Sequence, residues 1–226
     1  LLYIKSLCLR TVRVALGLCL FAFGIYLTIQ GNIGVGPWDV FNLGLAGKLS
    51  MSFGNISVII SITVLIIDLC LKERIGIGTV LDAVMVGKMV DLYTYLELIP
   101  VCSRLWTGCI CLVLGIIVIC LAQVVYMSGG LGAGPRDMML IGIGKRLHKL
   151  NIGTVSWIIY VVVLAIGWLL GGPVGVGTII STFGTGIAMR YVFRIVRFEP
   201  RLVKHESLWD VVQRLRGKEL VKKEPQ

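Results

Sequence analysis

From Leu105 to Gly134 the chain runs without a single charged side chain, and it does so again from Ile152 up to Arg190, where Gly171, Gly172 and Pro173 split the run into two helices. A helix needs roughly 20 apolar residues to cross the hydrocarbon of a bilayer. Both runs reach that length, and a water-soluble core has no use for such uninterrupted apolar stretches. Composition agrees: 57% of the 226 residues are hydrophobic and only 15% are charged, with a mean hydropathy of +0.91. Soluble domains carry about 25% charge. These features place the chain in the lipid bilayer as an all-α membrane protein.

The apolar run after Arg13 is read as a span and not as a cleavable leader, because no small-residue cleavage site follows it. The seven cysteines do not read as a disulfide or metal framework. Cys19, Cys109, Cys111 and Cys120 lie within apolar helices, where a thiol acts as a small hydrophobe. Cys109 and Cys111 also point about 200° apart on a helix. No metal and no cofactor is expected. The net charge of +10 collects in Lys5, Arg10 and Arg13, in Lys145, Arg146 and Lys149, and in the tail after Met189. Basic residues flanking spans mark cytoplasmic loops, so the charge points to a membrane surface and not to nucleic acid.

Long helices are expected at 11–30, 54–71, 77–98, 105–127, 153–171 and 175–195. A short Gly-rich segment follows the first and the fourth. One reads Gly-Asn-Ile-Gly-Val-Gly-Pro-Trp-Asp (31–39), the other Gly-Gly-Leu-Gly-Ala-Gly-Pro-Arg-Asp (129–137). At a shift of 98 residues Gly34, Gly36, Pro37, Asp39 and Gly44 recur as Gly132, Gly134, Pro135, Asp137 and Gly142. With one inserted residue the register continues: Ile75-Gly-Ile-Gly-Thr falls on Val174-Gly-Val-Gly-Thr, Ser57 on Ser156 and Gly87 on Gly186. Further back, Gly17 falls on Gly115. Identity in register over this length reads as a duplicated module. The organisation is therefore two tandem repeats, residues 1–100 and 101–196, followed by a basic cytoplasmic tail, 197–226. In the tail, Ser207 and Asp210 have the spacing of a helix start. Leu208, Val211, Val212 and Leu215 form one apolar stripe of a short amphipathic helix suited to the membrane surface, with a solvated tail that aids insertion as the competing reading.

Each Gly-Pro segment is expected to open a short re-entrant or broken helix, giving about six long spans and two half-helices. About 13 residues from Pro37 are too few to cross alone. With three spans per module the repeats are inverted, as in many transporters; with four they are parallel. The re-entrant version is preferred.

Pro37 and Pro135 suit the first helical position, which sets Asp39 and Asp137 in the first turn, by the positive end of the helix dipole. Irregular backbone at membrane depth is tolerated only inside protein or along a cavity. The substrate-binding candidates are therefore Gly34, Gly36, Pro37, Asp39 and Asn42 in the first module, and Gly132, Gly134, Pro135, Arg136 and Asp137 in the second. Plain helix capping by the two aspartates is the competing reading. A carboxylate in the first turn favours a cation, a proton or a polar neutral solute over an anion.

A second set consists of charges in spans, which are expensive there: Asp82, Lys88, Asp91 and Arg190. Lys88 and Asp91 lie about 60° apart on a helix and can pair; Asp82 faces the other way. Asp91 falls on Arg190 in the repeat register, which suggests an Asp91–Arg190 contact between modules, as structural glue or as a gate. Trp106, Tyr126, Trp157 and Trp168 read as interfacial anchors, and His148 as part of a basic loop.

The duplicated Gly-x-Gly-x-Gly-Pro-x-Asp segments and Gly-x-Gly-Thr helix starts resemble the YczE/YyaS/YitT family of bacterial membrane proteins, most of all its YczE branch, over about residues 10–195. The resemblance implies a multi-pass protein of the bacterial cytoplasmic membrane and loosely implies transport or a supporting role in cell physiology; it carries over no catalytic residue. Two functions remain open. One is a gradient-driven transporter or exporter of a small solute, with a coupling ion and a site between the repeats. The other is a non-transporting scaffold or regulator that acts through its basic tail. The chain lacks a Walker motif and any Ser/His/Asp set, so an enzyme is not expected. The partners expected are the lipid bilayer, a solute with its ion, and a second copy if the protein works as a homodimer, with both termini cytoplasmic.

Overall fold

The computed structural model describes residues 2–147, 152–199, 203 and 206–215. His148 and Lys149, together with the tail beyond residue 215, lie outside the described residues. Among those described, every regular element is a helix. In chain order these are α1 (Leu2–Gln30), α2 (Pro37–Leu49), α3 (Phe53–Cys70), α4 (Ile77–Tyr95), α5 (Leu105–Ser128), α6 (Pro135–Arg146), α7 (Ile152–Leu169), α8 (Val176–Ile195) and α9 (Leu208–Leu215).

Three of them, α1, α3 and α5, are both long enough and apolar enough to cross a membrane, and α7 is a shorter apolar helix. α4 and α8 have 19 and 20 residues but carry charges. Around the outside, Leu16, Ile66, Ile110, Val161 and Ile187 stand exposed. A continuous apolar exterior of this kind has lipid as its natural neighbour.

The helix pair with the most extensive contact is α1 with α5. Gly17 lies against Tyr126, Gly24 against Gly115 and Ile119, and Gly31 against Gly108, so the two helices run antiparallel. The approach is backbone to backbone: a Cβ added at Gly24 would sit 2.9 Å from the Gly115 carbonyl oxygen. Lipid tails are as apolar as leucine, so helices in a bilayer associate through close packing, and small residues make the closest contact possible.

α4 lies parallel to α1, tied by Tyr93, whose hydroxyl donates to the Cys19 carbonyl at 3.2 Å, and by Tyr26, whose hydroxyl donates to the Ile99 carbonyl at 2.9 Å. Val14, Leu18, Ala22, Ile25, Val86, Val90, Tyr126 and Leu131 close the core between α1, α4 and α5. Elements of residues 1–100 and 101–196 interleave: α1 packs on α5, α2 on α7 and α3 on α6.

α1 starts at Leu2, well before the expected residue 11, because its first turns have a partner. Arg10 donates to the carbonyls of Gly129 and Gly130 at 2.7 and 2.9 Å. It also pairs with Glu206 at 3.1 Å. Glu206 receives Arg214 at 3.1 Å as well, and the Tyr3 hydroxyl at 3.0 Å. Its own N–H donates to Gly130, and that of Leu208 to Ile75. α9 is thereby bound to the loops before α4 and α6. Ser207 and Asp210 cap it reciprocally, at 2.9 and 3.2 Å.

Two outcomes are expected. Gly24→Val should cost about 1–3 kcal/mol by overpacking the α1–α5 seam, measured as a lower Tm in detergent. Gly47→Ala, with nothing within 4 Å of the added methyl, should be neutral or better. The second concerns Asp210. Burial raises its pKa, but the hydrogen bonds from Ser207 and the charges of Arg74 and Arg214 outweigh this and hold it below its usual 3.8. A depressed carboxylate stabilises above its unfolded pKa, and that stability is lost as pH falls through the folded value. α9 should therefore stay docked at neutral pH and release below about pH 4, seen as faster amide exchange across 208–215.

Candidate functional site

The first turns of α2 and α6 are linked by one long side chain. Each helix starts after an extended glycine, Gly36 (φ −62°, ψ 158°) and Gly134 (φ −60°, ψ 152°), with proline at its first position. At this junction Arg136 of α6 reaches α2. Its Nη1 lies 3.9 Å from Asp39 Oδ1, and its guanidinium stands 5.0 Å from the centre of the Trp38 ring. The first distance is too long for a hydrogen bond, and Asp39 Oδ1 is buried without one. The ring contact is a cation–π pair.

Two further carboxylates share the Arg136 field, Asp137 from the same helix turn and Asp82 from α4. Asp82 lies over the N-terminus of α6: a Cβ built on Gly134 would meet its Oδ2 at 2.5 Å, so any larger residue there would push that carboxylate aside. A carboxylate at that point is favoured by the unpaired N–H groups of the first helical turn. α5 contributes Tyr126, whose phenol sits near the Gln123 amide, the Gly134 backbone, Asp82 and Asp137. α7 contributes Tyr160, whose phenol lies in the electrostatic field of Asp137 and Arg136.

The loops leading into the two short helices are held crosswise. The Gly78 N–H at the start of α4 donates to Leu131 at 2.8 Å, and the Gly177 N–H at the start of α8 donates to Ile33 at 2.7 Å. Beside these bonds Gly34 and Gly132 adopt φ of +101° and +121°, which an L side chain rarely takes. Each packs against a buried threonine hydroxyl, Gly34 on Thr178 and Gly132 on Thr79. Those hydroxyls accept from the Gly175 and Gly76 N–H groups at 3.2 and 3.3 Å. The Gly-x-Gly-Thr starts of α4 and α8 are thus the seats on which the opposite Gly-Pro loops rest.

Of the residues singled out from sequence, the structure sets Asp39, Asp82, Gly134 and Asp137 around Arg136, with Gly36, Pro37 and Pro135 next to them in the chain, while Gly34 and Gly132 sit at the two separate clasps. Asn42 lies one turn beyond Asp39, fully buried, with neither amide atom hydrogen-bonded.

The other charges lie elsewhere. Lys88 is exposed and donates to Asn55 at 2.5 Å. Asp91 accepts from Ser52 at 2.6 Å and from the Gly54 N–H at 2.7 Å, so it caps α3. Arg190 is exposed. The Asp91–Arg190 contact and the Lys88–Asp91 pair are therefore corrected: α4 and α3 lie side by side through Gly54 and Gly87, and the α3 N-terminus satisfies Asp91 locally. Lys88 and Arg190 are not buried charges. Tyr126 is also no interfacial anchor; it is 5% exposed, in the core.

Sequence reasoning missed Gln123, Tyr126 and Tyr160 as neighbours of the site, since an uncharged residue in an apolar run signals nothing by itself. It also missed Asp68, fully buried near the end of α3 beside Glu73, with no hydrogen-bond partner on either oxygen. A lone acid in an otherwise apolar helix was the available signal.

Comparison with known proteins gives the lineage. The family of unknown function DUF6198 matches residues 8–194. This chain belongs to that family. An uncharacterized membrane protein of Bacillus subtilis, YczE, is 32% identical over 192 residues, covering 83% of this chain and 86% of the relative. A Haemophilus influenzae protein is 29% identical over 194 residues, covering 85% and 88%. YyaS of Bacillus subtilis is 27% identical over 191 residues, covering 83% and 94%. No solved structure matches. The DUF6198 chain is accordingly a helical membrane protein whose matched region contains the whole Arg136 junction.

The correction at Asp91 has a measurable consequence. Asp91→Asn should destabilise by roughly 0.5–2 kcal/mol, as loss of a helix cap does, while Arg190→Ala should be silent. A double-mutant cycle between them should give a coupling within about 0.5 kcal/mol of zero.

Proposed function

We propose that this DUF6198 protein is a gradient-driven secondary transporter of a small solute, bound where the α2 and α6 N-termini meet. The observation that carries the reading is Arg136, reaching from α6 to Trp38 and Asp39 of α2 at 5.0 and 3.9 Å amid two more carboxylates. Charges inside a membrane protein are costly unless they serve a pathway or a ligand. Broken helices meeting near the midplane are a recurrent way to build such a site.

In this reading the chain is an inverted duplication of six spans and two half-helices. The support is the antiparallel course of α1 and α5 and the paired clasps at Ile33–Gly177 and Leu131–Gly78. The end bearing Arg10, Arg13, Lys72, Arg74, Lys145 and Arg146 is cytoplasmic by the positive-inside rule, and Lys48 and Arg104 lie outside. That orientation puts the Glu206 cluster and α9 at the inner mouth, in the bacterial cytoplasmic membrane. The tail then acts as a brace on the loop that enters α6, in preference to serving as a docking platform of its own. No bond is made or broken on the solute, and a coupled ion supplies the drive.

The test is a thermal-stability screen of the detergent-purified protein against metabolites and ions, beside an Asp39→Asn/Asp137→Asn variant. A solute at 100 times its Kd should stabilise the parent by about 2.7 kcal/mol and leave the variant unmoved. Proteoliposome uptake of that solute, collapsing with the ion gradient, completes the case. If no solute shifts a well-folded parent, the transport reading falls.

A further inference from the structure

The geometry points to the class of solute: a small cation with N–H donors, of ammonium or guanidinium type, that exchanges with protons at the Arg136 junction. This rests on the transport reading and specifies it.

The first argument is charge balance. Asp39 from α2, Asp82 from α4 and Asp137 from α6 all lie in the field of one guanidinium, Arg136. The other titratable groups facing the junction are the phenols of Tyr126 from α5 and Tyr160 from α7. Three acids against one base leave a negative excess when all are ionised. Inside a low-dielectric bundle only something positive can balance it, either protons on the carboxylates or a bound cation. The two compete for the same oxygens, so binding the cation releases protons and protonation expels it.

The second argument is the set of buried polar atoms without partners. Asp39 Oδ1 and Gln123 Oε1 are acceptors buried without any hydrogen bond, and beside them the Trp38 Nε1 donor is unpaired as well. Gln123 is 9% exposed and its amide adjoins Tyr126, whose phenol lies in the electrostatic field of Asp82 and Asp137. Buried acceptors of this kind call for a donor. Among the described residues, no three His, Cys, Asp or Glu side chains converge as a metal ion requires. The acceptors are separated, and a polyatomic cation with several N–H groups can reach them where a bare ion cannot.

The third argument is that the protein already displays such a cation. The Arg136 guanidinium rests on Trp38 and beside Asp39. A side chain on the mobile end of a long stem can yield its place to a free cation of the same chemistry.

The experiment measures Tm of the full-length protein in detergent with equal millimolar guanidinium, ethylammonium, tetramethylammonium or acetate, over a pH series, with proton release followed in weak buffer. Guanidinium and ethylammonium should raise Tm by about 2–4 °C, more at high pH than at low, and release protons on binding. Tetramethylammonium, charged but without N–H, and acetate should do neither. Asp82→Asn should weaken the cation response at least tenfold; Asp137→Asn serves if that variant does not fold. The proposal is overturned if acetate alone stabilises, if tetramethylammonium equals ethylammonium, if the Asn variants respond like the parent, or if no probe shifts Tm. In each of those cases a neutral or anionic solute found in the broader screen keeps the transport reading standing, so the two fail separately.

Discussion

Inside hydrocarbon a peptide N–H or C=O has no water to turn to, and each one left unpaired costs several kcal/mol. A chain that stops a helix, loops through glycines and starts another must therefore find partners for the exposed backbone within the protein. Here the partners are supplied crosswise: Leu131 accepts from Gly78, and Ile33 accepts from Gly177. The positive φ at Gly34 and Gly132 turns each carbonyl toward its donor, and Thr178 and Thr79 close the gap beside it. Without those bonds the short helices would have no fixed origin, and the junction of Arg136 with Asp39 and Trp38 would not form.

The glycine seam between α1 and α5 serves the same end from another direction. Backbone contact at Gly24–Gly115 and Gly31–Gly108 holds the two longest helices at minimum distance and sets the antiparallel frame. Tyr126 of α5 then lies at once against Gly17 and near the acids at the α6 N-terminus. The scaffold and the site share that residue, so loosening the seam should disturb the junction. At one end the Glu206 cluster pins α9 to the loops before α4 and α6. Among the described residues, no counterpart of α9 meets the matching loop at Asn32.

The residues that matter most to the junction were legible where they carried a pattern. Gly-x-Gly-Pro-x-Asp names its own local structure: proline starts a helix, the aspartate lands in its first turn, and the glycines make the approach. Because the segment occurs twice, Asp39 and Asp137 could be paired before any coordinates. Asp91 and Arg190 show where such reasoning stops. Register related them, but Asp91 is satisfied by Ser52 and the Gly54 N–H, and no helical-wheel angle reveals which neighbouring helix end lies opposite. Asp68, Gln123 and Tyr160 carried too little pattern to be assigned a neighbour.

By itself the sequence determined the solvent, the elements and the breaks: apolar runs of bilayer length, two helices begun by Gly-Pro, and most of the charge gathered outside the spans. These follow from local composition, because hydrocarbon enforces helix on any long apolar segment and proline and glycine act on their own backbone. Only the tertiary structure decided which N-terminus meets which, that Asp82 covers α6, and that Arg136 reaches Trp38. Those contacts join residues about 50 to 100 positions apart in the chain. They depend on how closely the helices pack and which way they run, and neither is written in any one segment.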